Sequence, residues 1–422
     1  MKNQTWTRTL AAVKDDGNGG SGGGPGPGKP RGVRLNFHGG VVIPVGGLVV
    51  KPPPPGPMVL VTGGIDFSAS RLYSAELFDI DAVQWGSIGN VFSLPRSQHT
   101  ATFLPTVAGN GVVLAGGIQE GSDYLKEVVD FFNEARAACY AVGPLLSPQI
   151  FVTATLLETG KLLVVGDSAT CELFDPQQLV WTLTASLNVA RQFHTATFVP
   201  GPNPVTAGEV LVVGGGDLSG TGPGILNSVE LYDQRSPGWR FGASLPYPLE
   251  SHTASLGPNR TVLVAGGFNF ESGGLGKREC LFYERRTDTW SQTTPMNKGR
   301  TNHTATTLSD GRVLVVGGMD SNGVVAQSAE IFDFTTATWT EVARPTARVG
   351  HTTTLLPDGR VLVAGGAGRF ASCQIYNPSL DVWEPGGNLN TNRAFHTATL
   401  LETMGNPFSN VVITVEGLTA IS

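Results

Sequence analysis

The sequence predicts an all-β propeller, and three observations carry that expectation. A short phrase recurs along the 422-residue chain: HTATFL from His99, HTATFV from His194, HTASLG from His252, HTATTL from His303, HTTTLL from His351 and HTATLL from His396, with Val152-Thr-Ala-Thr as a degenerate copy. Successive copies stand 42 to 58 residues apart, a period that suits units of several short strands arranged as blades. No segment sustains a helical period, and every element is about a strand long, rich in Val, Leu, Ile, Phe and Thr and bounded by Gly, Asp, Asn or Pro.

Each repeat carries its markers in one order. The His-Thr-Ala-Thr strand comes first. An apolar run ending in glycine follows: VLVTGG at 59–64, VVLAGG at 112–117, LLVVGD at 162–167, VLVVGG at 210–215, VLVAGG at 262–267, VLVVGG at 313–318 and VLVAGG at 361–366. These runs do not alternate, so both faces should be buried, as a strand between neighbouring blades requires. The glycines let the backbone turn where a side chain would clash. An alternating run such as SAELFD (74–79) or SAEIFD (328–333) comes third. The last marker is Trp85, Trp181, Trp239, Trp290, Trp339 or Trp383, placed to fill the wedge between sheets, with Cys139 in the matching place of one repeat.

The chain begins its repeats at the glycine run of Val59 and ends them on a lone HTATLL at His396. The C-terminal strand should therefore complete the first blade, giving seven four-stranded blades and no exposed sheet edge. NVVITVEG (410–417) resembles a further glycine run, which leaves an eight-bladed ring as the alternative.

Outside the repeats, residues 1–32 hold a Gly/Pro-rich segment expected to be disordered, and 33–57 form an arm with a Pro-rich linker; the propeller is expected over 58–422. The 56 glycines and 28 prolines thus mark turns as well as low complexity. A net charge of −6 with 15% charged residues and no basic cluster argues against nucleic-acid binding. No stretch is long and apolar enough to span a membrane, nor to form a signal-peptide core at the N-terminus.

Cys171, Cys280 and Cys373 take the repeat position held elsewhere by Ala75, Val229 and Ala329, so all four cysteines, Cys139 included, read as free buried thiols. The joined markers (diglycine after an apolar strand, downstream aromatic, then Trp) resemble the kelch-repeat family over roughly residues 58–401, with wording similar to bacterial kelch-like proteins. The resemblance implies a β-propeller of four-stranded blades. It also favours a secreted or cell-surface location, although no signal peptide is present.

Five repeat histidines have an arginine three residues earlier: Arg96, Arg191, Arg300, Arg348 and Arg393. Equivalent positions on separate blades are too far apart to share a metal, so the repeat histidines and tryptophans are expected to be scaffold, with no metal and no cofactor. Sugar oxidases that resemble this family hold copper with tyrosines and histidines. Here Tyr232, Tyr283 and Tyr376 fall in the repeat's aromatic position and only His38 lies outside the repeats, a poor copper set.

What varies between repeats is the connection after each glycine run. Corresponding loops emerge on one face, and loops on a rigid scaffold are where binding residues concentrate. The candidates there are Asp66, Phe67, Tyr124, Phe268, Phe270, Asp320, Arg369 and Phe370. The expected function is a non-catalytic module binding a protein or glycan partner through this face. Alternatives are a carbohydrate-active enzyme of the oxidase or isomerase type, with its site in the central channel, and a structural or assembly protein that self-associates through the N-terminal arm.

Overall fold

The computed structural model describes residues 56–90, 94–106, 109–119, 129–133, 138–202, 207–217, 224–270, 276–367 and 371–401, with short strands at 11–12, 34–36 and 42–44. The three short strands form their own antiparallel sheet. The segment 410–417 lies outside the described residues.

Seven four-stranded antiparallel sheets, with a two-stranded pairing of Arg96–Ser97 and Ile118–Gln119, make up the rest of the described fold. Blade 1 consists of Thr397–Leu401, Met58–Thr62, Ser74–Asp79 and Gln84–Asn90, so the last strand of the chain pairs with the first of the repeats (Thr397 opposite Thr62). Blades 2 to 7 follow in chain order and begin at Thr100, Thr153, Thr195, Thr253, Thr304 and Thr352. The ring is a closed seven-bladed propeller. No helix among the described residues is long and apolar enough to cross a membrane.

The glycine-run strands are buried on both faces because alternate residues serve different junctions. Val59 and Val61 pack toward blade 7, whereas Leu60 packs toward blade 2. Seven buried apolar clusters result, each shared by two neighbouring blades. The diglycines turn in the left-handed region. A side chain on Gly266 (φ 65°) would meet the Arg300 carbonyl at 2.5 Å, and one on Gly267 (φ 98°) the Glu250 carbonyl at 2.7 Å. Where Asp167 replaces the second glycine, its carboxylate accepts the Ile150 N–H at 2.8 Å.

The tryptophans lie on the outermost strands, each over an aromatic of the adjacent strand, as in Phe78–Trp85 at 4.9 Å and Tyr376–Trp383 at 4.8 Å. Phe132 faces Cys139 in the same register, which places that cysteine in the tryptophan position. All four thiols are free, and burial pushes each up to about 12.

Candidate functional site

Six repeat histidines are buried at the ring's centre, and each bonds through Nε2 to a threonine hydroxyl of the preceding blade. The pairs are His194–Thr153, His252–Thr195, His303–Thr253, His351–Thr304, His396–Thr352 and His99–Thr397, at 2.9 to 3.1 Å. Burial lowers the imidazoles' proton affinity, to about 3 for His194 and His252, and the nearby arginines lower it further for His99, His194, His303, His351 and His396. They are neutral at physiological pH. Among the described residues no group of three or more His, Cys, Asp or Glu could hold a metal.

The arginines fix each blade to its own rim. Arg300 reaches the Gly317 and Ser328 carbonyls and meets Glu330 at 2.6 Å, and Glu330 in turn accepts the N–H groups of Asn297 and Lys298. Arg96–Asp130, Arg191–Glu230 and Arg393–Glu76 repeat the ion pair at 2.6 to 2.8 Å. Blade 7 substitutes the neutral Gln374 and blade 3 pairs Gln149 with Glu172. Blade 5 has lost both partners: Leu249 and Leu281 stand in their places, in one apolar cluster.

Because strands 1 and 2 of a blade run antiparallel, the segment entering strand 1 and the loop leaving strand 2 share one face. Backbone bridges sew them together there: Ile65 with Ala394, Gln192 with Gly216, Glu250 with Phe268, Thr301 with Met319 and Val349 with Ala367. The residue entering each first strand adopts a left-handed φ of 50° to 65°: Gln98, Phe151, Phe193, Ser251, Asn302, Gly350 and Phe395. A bulky residue held there costs ~1–2 kcal/mol, and such strain gathers where a structure is put to use. Their backbones link into two arcs, with Phe395 N–H donating to Gly350 and Gln98 to Phe395 in one, and Ser251 to Phe193 and Asn302 to Ser251 in the other. Phe151 and Phe193 lie ring to ring at 4.4 Å. This rim is polar toward blades 4 to 6 (Gln192, Glu250, Ser251, Thr301, Asn302) and apolar toward blades 7 and 1 (Val349, Ala394, Phe395).

The loop candidates fall into three groups. Phe67 and Phe270 are 78% and 74% exposed, on blades 1 and 5, three steps apart round the ring. Phe268 is half-buried and meets Phe270 edge-on at 5.1 Å. Asp66 and Asp320 turn their carboxylates back on their own loops, accepting the N–H groups of Ser68 and Ser70, and of Asn322 and Val324. Tyr124, Arg369 and Phe370 lie outside the described residues.

Sequence reasoning passed over Glu250. It sits on the rim, is 7% exposed, and burial raises its carboxyl to about 7. The signal was available: it is the one acid among Ser97, Ile150, Gln192, Thr301, Val349 and Ala394, the residues two places before the repeat His or Val.

A family model described as the KLHDC2/KLHL20/DRC7 Kelch-repeats domain matches residues 193–405. Kelch-like protein 36 of Bos taurus is 30% identical over 171 residues, 40% of this chain and 25% of that protein. Kelch-like protein 35 of Mus musculus is 28% identical over 290 residues, 68% of this chain and 46% of that protein. The chain thus spans a quarter to a half of the length of these relatives. A solved fungal alcohol oxidase of the AA5 family, in complex with copper, aligns with a TM-score of 0.56 at 14% identity, over 75% of this chain and 70% of that one, and shares the fold.

Proposed function

The chain belongs to the kelch-repeat family, and from that premise we propose that it is a non-catalytic binding module holding a segment of a partner protein on its loop face. The observation that carries this reading is the pair of exposed aromatics on that face. Phe67 and Phe270 leave most of their ring area in water, at a cost in free energy that a contact with a partner would recover. Their loops are braced at the base, by the Asp66 carboxylate in one case and by Phe268 in the other. A preformed anchor loses little entropy on binding. The histidines are each engaged by a threonine hydroxyl of the preceding blade, which gives the oxidase alternative no comparable support.

The test is a peptide and glycan array probed with the full chain and with three variants. Phe67→Ala and Phe270→Ala should abolish or weaken peptide hits. Phe241→Ala, which removes another exposed ring, from an outer strand, should leave them intact. Equal losses with all three, or hits confined to glycans, would count against a peptide-binding loop face.

A further inference from the structure

The outermost strand of each blade has one edge with no neighbour in its sheet, and such edges pair with other chains unless something guards them. Blade 1 breaks its outer ladder at Ala75–Glu76, and blade 7 breaks its own at Ser372–Gln374, where Pro385 also lacks an N–H. Blade 4 carries Arg240, held by Glu209 and Asp288, and blade 6 carries Glu341. The outer strands of blades 2 and 5, Ala138–Ala141 and Thr289–Thr293, expose no large apolar side chain.

Blade 3 is the exception. Its outer strand, Val180–Leu183, has no charge, no proline and no bulge, and Val180 and Leu183 are 41% and 61% exposed. Not one residue from Pro176 to Ala190 is charged. The same wall of blade 6 is polar: Lys298 meets Glu341 at 3.8 Å, and Asn297 Nδ2 donates to the Trp339 carbonyl at 3.4 Å. Blade 3 puts Ser147 and Leu183 in place of that ion pair, and Leu146, 54% exposed, in place of the asparagine.

The register of the sheet shows how this edge can be used. Thr184 N–H donates to the Cys171 carbonyl at 3.0 Å. The antiparallel alternation then turns the backbone groups of Val180 and Thr182 inward, toward Cys171–Asp175, and those of Trp181 and Leu183 outward. Such a strand can pair antiparallel with its own copy about a twofold axis at Thr182. Trp181 then stands opposite Leu183 of the second copy, and Leu183 opposite Trp181 of the second copy, each pair exchanging two backbone hydrogen bonds. Thr182 faces its own counterpart, and no like charges meet.

We propose that this edge pairs with the same edge of a second copy of the chain, joining two blades 3 into one continuous sheet about a twofold axis. A second copy brings a neutral strand already held extended in its own blade, so pairing costs little ordering entropy. Each chain has one such edge among the described residues, so assembly stops at two. The edge lies on the outer wall, and the proposal stands apart from the loop-face reading.

The test is sedimentation of the full chain at loadings from about 1 to 200 µM. A one-strand interface is small, so the dimer should dissociate with a constant on the order of 10–100 µM. Thr182 is exposed, so its variants should fold, which thermal denaturation checks. Thr182→Lys sets two ammonium groups opposite each other, and Thr182→Glu two carboxylates. Each should weaken dimerisation about tenfold or more, and mixing the two variants should restore a dimer with one copy of each. Ser291→Lys, at the matching position of blade 5, should change nothing. A monomer at every loading, a dimer that Thr182→Lys leaves intact, a mixture that fails to associate, or growth beyond two copies overturns the proposal.

Discussion

Arg300 and Glu330 meet at 2.6 Å with both side chains fully out of solvent, a geometry whose Coulomb gain is set against a large desolvation cost. Blade 5 shows the apolar solution to the same problem, with Leu249 and Leu281 in the two positions. Blade 5 replaces both partners with apolar residues, whereas blades 7 and 3 each keep one charge and set a neutral amide, Gln374 or Gln149, against it, so that no buried charge is left without a polar partner. In blade 6, Glu330→Leu alone should cost about 3–5 kcal/mol, since it strands the Arg300 guanidinium. Adding Arg300→Leu should recover most of that loss, and urea unfolding of the two single variants and the double variant measures it. A double variant as unstable as the sum of the singles would show that the arginine's carbonyl bonds to Gly317 and Ser328 matter more than the charge.

At the level of elements, two belts join the blades. The inner one is the histidine–threonine series. In the outer one five of the six repeat tryptophans donate the indole N–H to a backbone carbonyl of the preceding blade: Trp85 to Gly386, Trp239 to Ala185, Trp290 to Ala243, Trp339 to Thr294 and Trp383 to Ala343. Blade 2 is where both belts fail. Val152 cannot bond Thr100 across the junction with blade 3, Trp181 Nε1 has no partner there, and Cys139 has no indole to reach blade 1. At the junction with blade 3 neither belt supplies a bond and an apolar cluster joins the blades, while at blade 1 the His99–Thr397 bond remains beside the apolar packing. Local opening follows the weakest contacts, so in mild denaturant Cys139, already half-buried, should react with a thiol reagent before Cys171, Cys280 and Cys373. Mass spectrometry of the singly labelled protein checks this; reaction of all four together would mean the ring opens as one unit.

For the whole molecule, pairing of Thr397–Leu401 with Met58–Thr62 completes blade 1 and closes the ring, and the histidine belt makes the closed ring acid-sensitive. The sign follows from the lowered imidazoles. Unfolded histidine titrates near 6.5, whereas His194 and His252 in the fold titrate near 3 and the other four well below 6.5. Between these values the unfolded chain binds protons that the folded one does not, so stability falls as pH drops below about 6.5. Each histidine contributes a slope of up to about 1.4 kcal/mol per pH unit. Glu250, raised to about 7, acts with the opposite sign and lowers stability as pH rises from about 4.5 to 7. Denaturant midpoints between pH 7.5 and 5 should drop steeply, and His303→Gln should make the drop shallower. A flat profile would mean that the imidazoles titrate in the fold as they do in the unfolded chain.

The strands, the diglycine turns, the tryptophan positions, the number of blades and the closing strand were all legible in the sequence by itself. Each depends on residues within one repeat of some fifty residues, and the repetition averages out local exceptions such as Val152, Cys139 and Asp167. The site was legible only in outline. Sequence placed the variable loops on one face and named Asp66 and Asp320 there as candidates, and the structure adds that their carboxylates accept N–H groups of their own turns. Tertiary structure decided what each buried polar group meets. Arg393 finds Glu76 across 317 residues, and His99 finds Thr397 across 298. Glu250 stands out in the sequence as the one acid at its repeat position, but only the tertiary structure decided that its carboxyl is buried with no ion pair or hydrogen bond among the described residues.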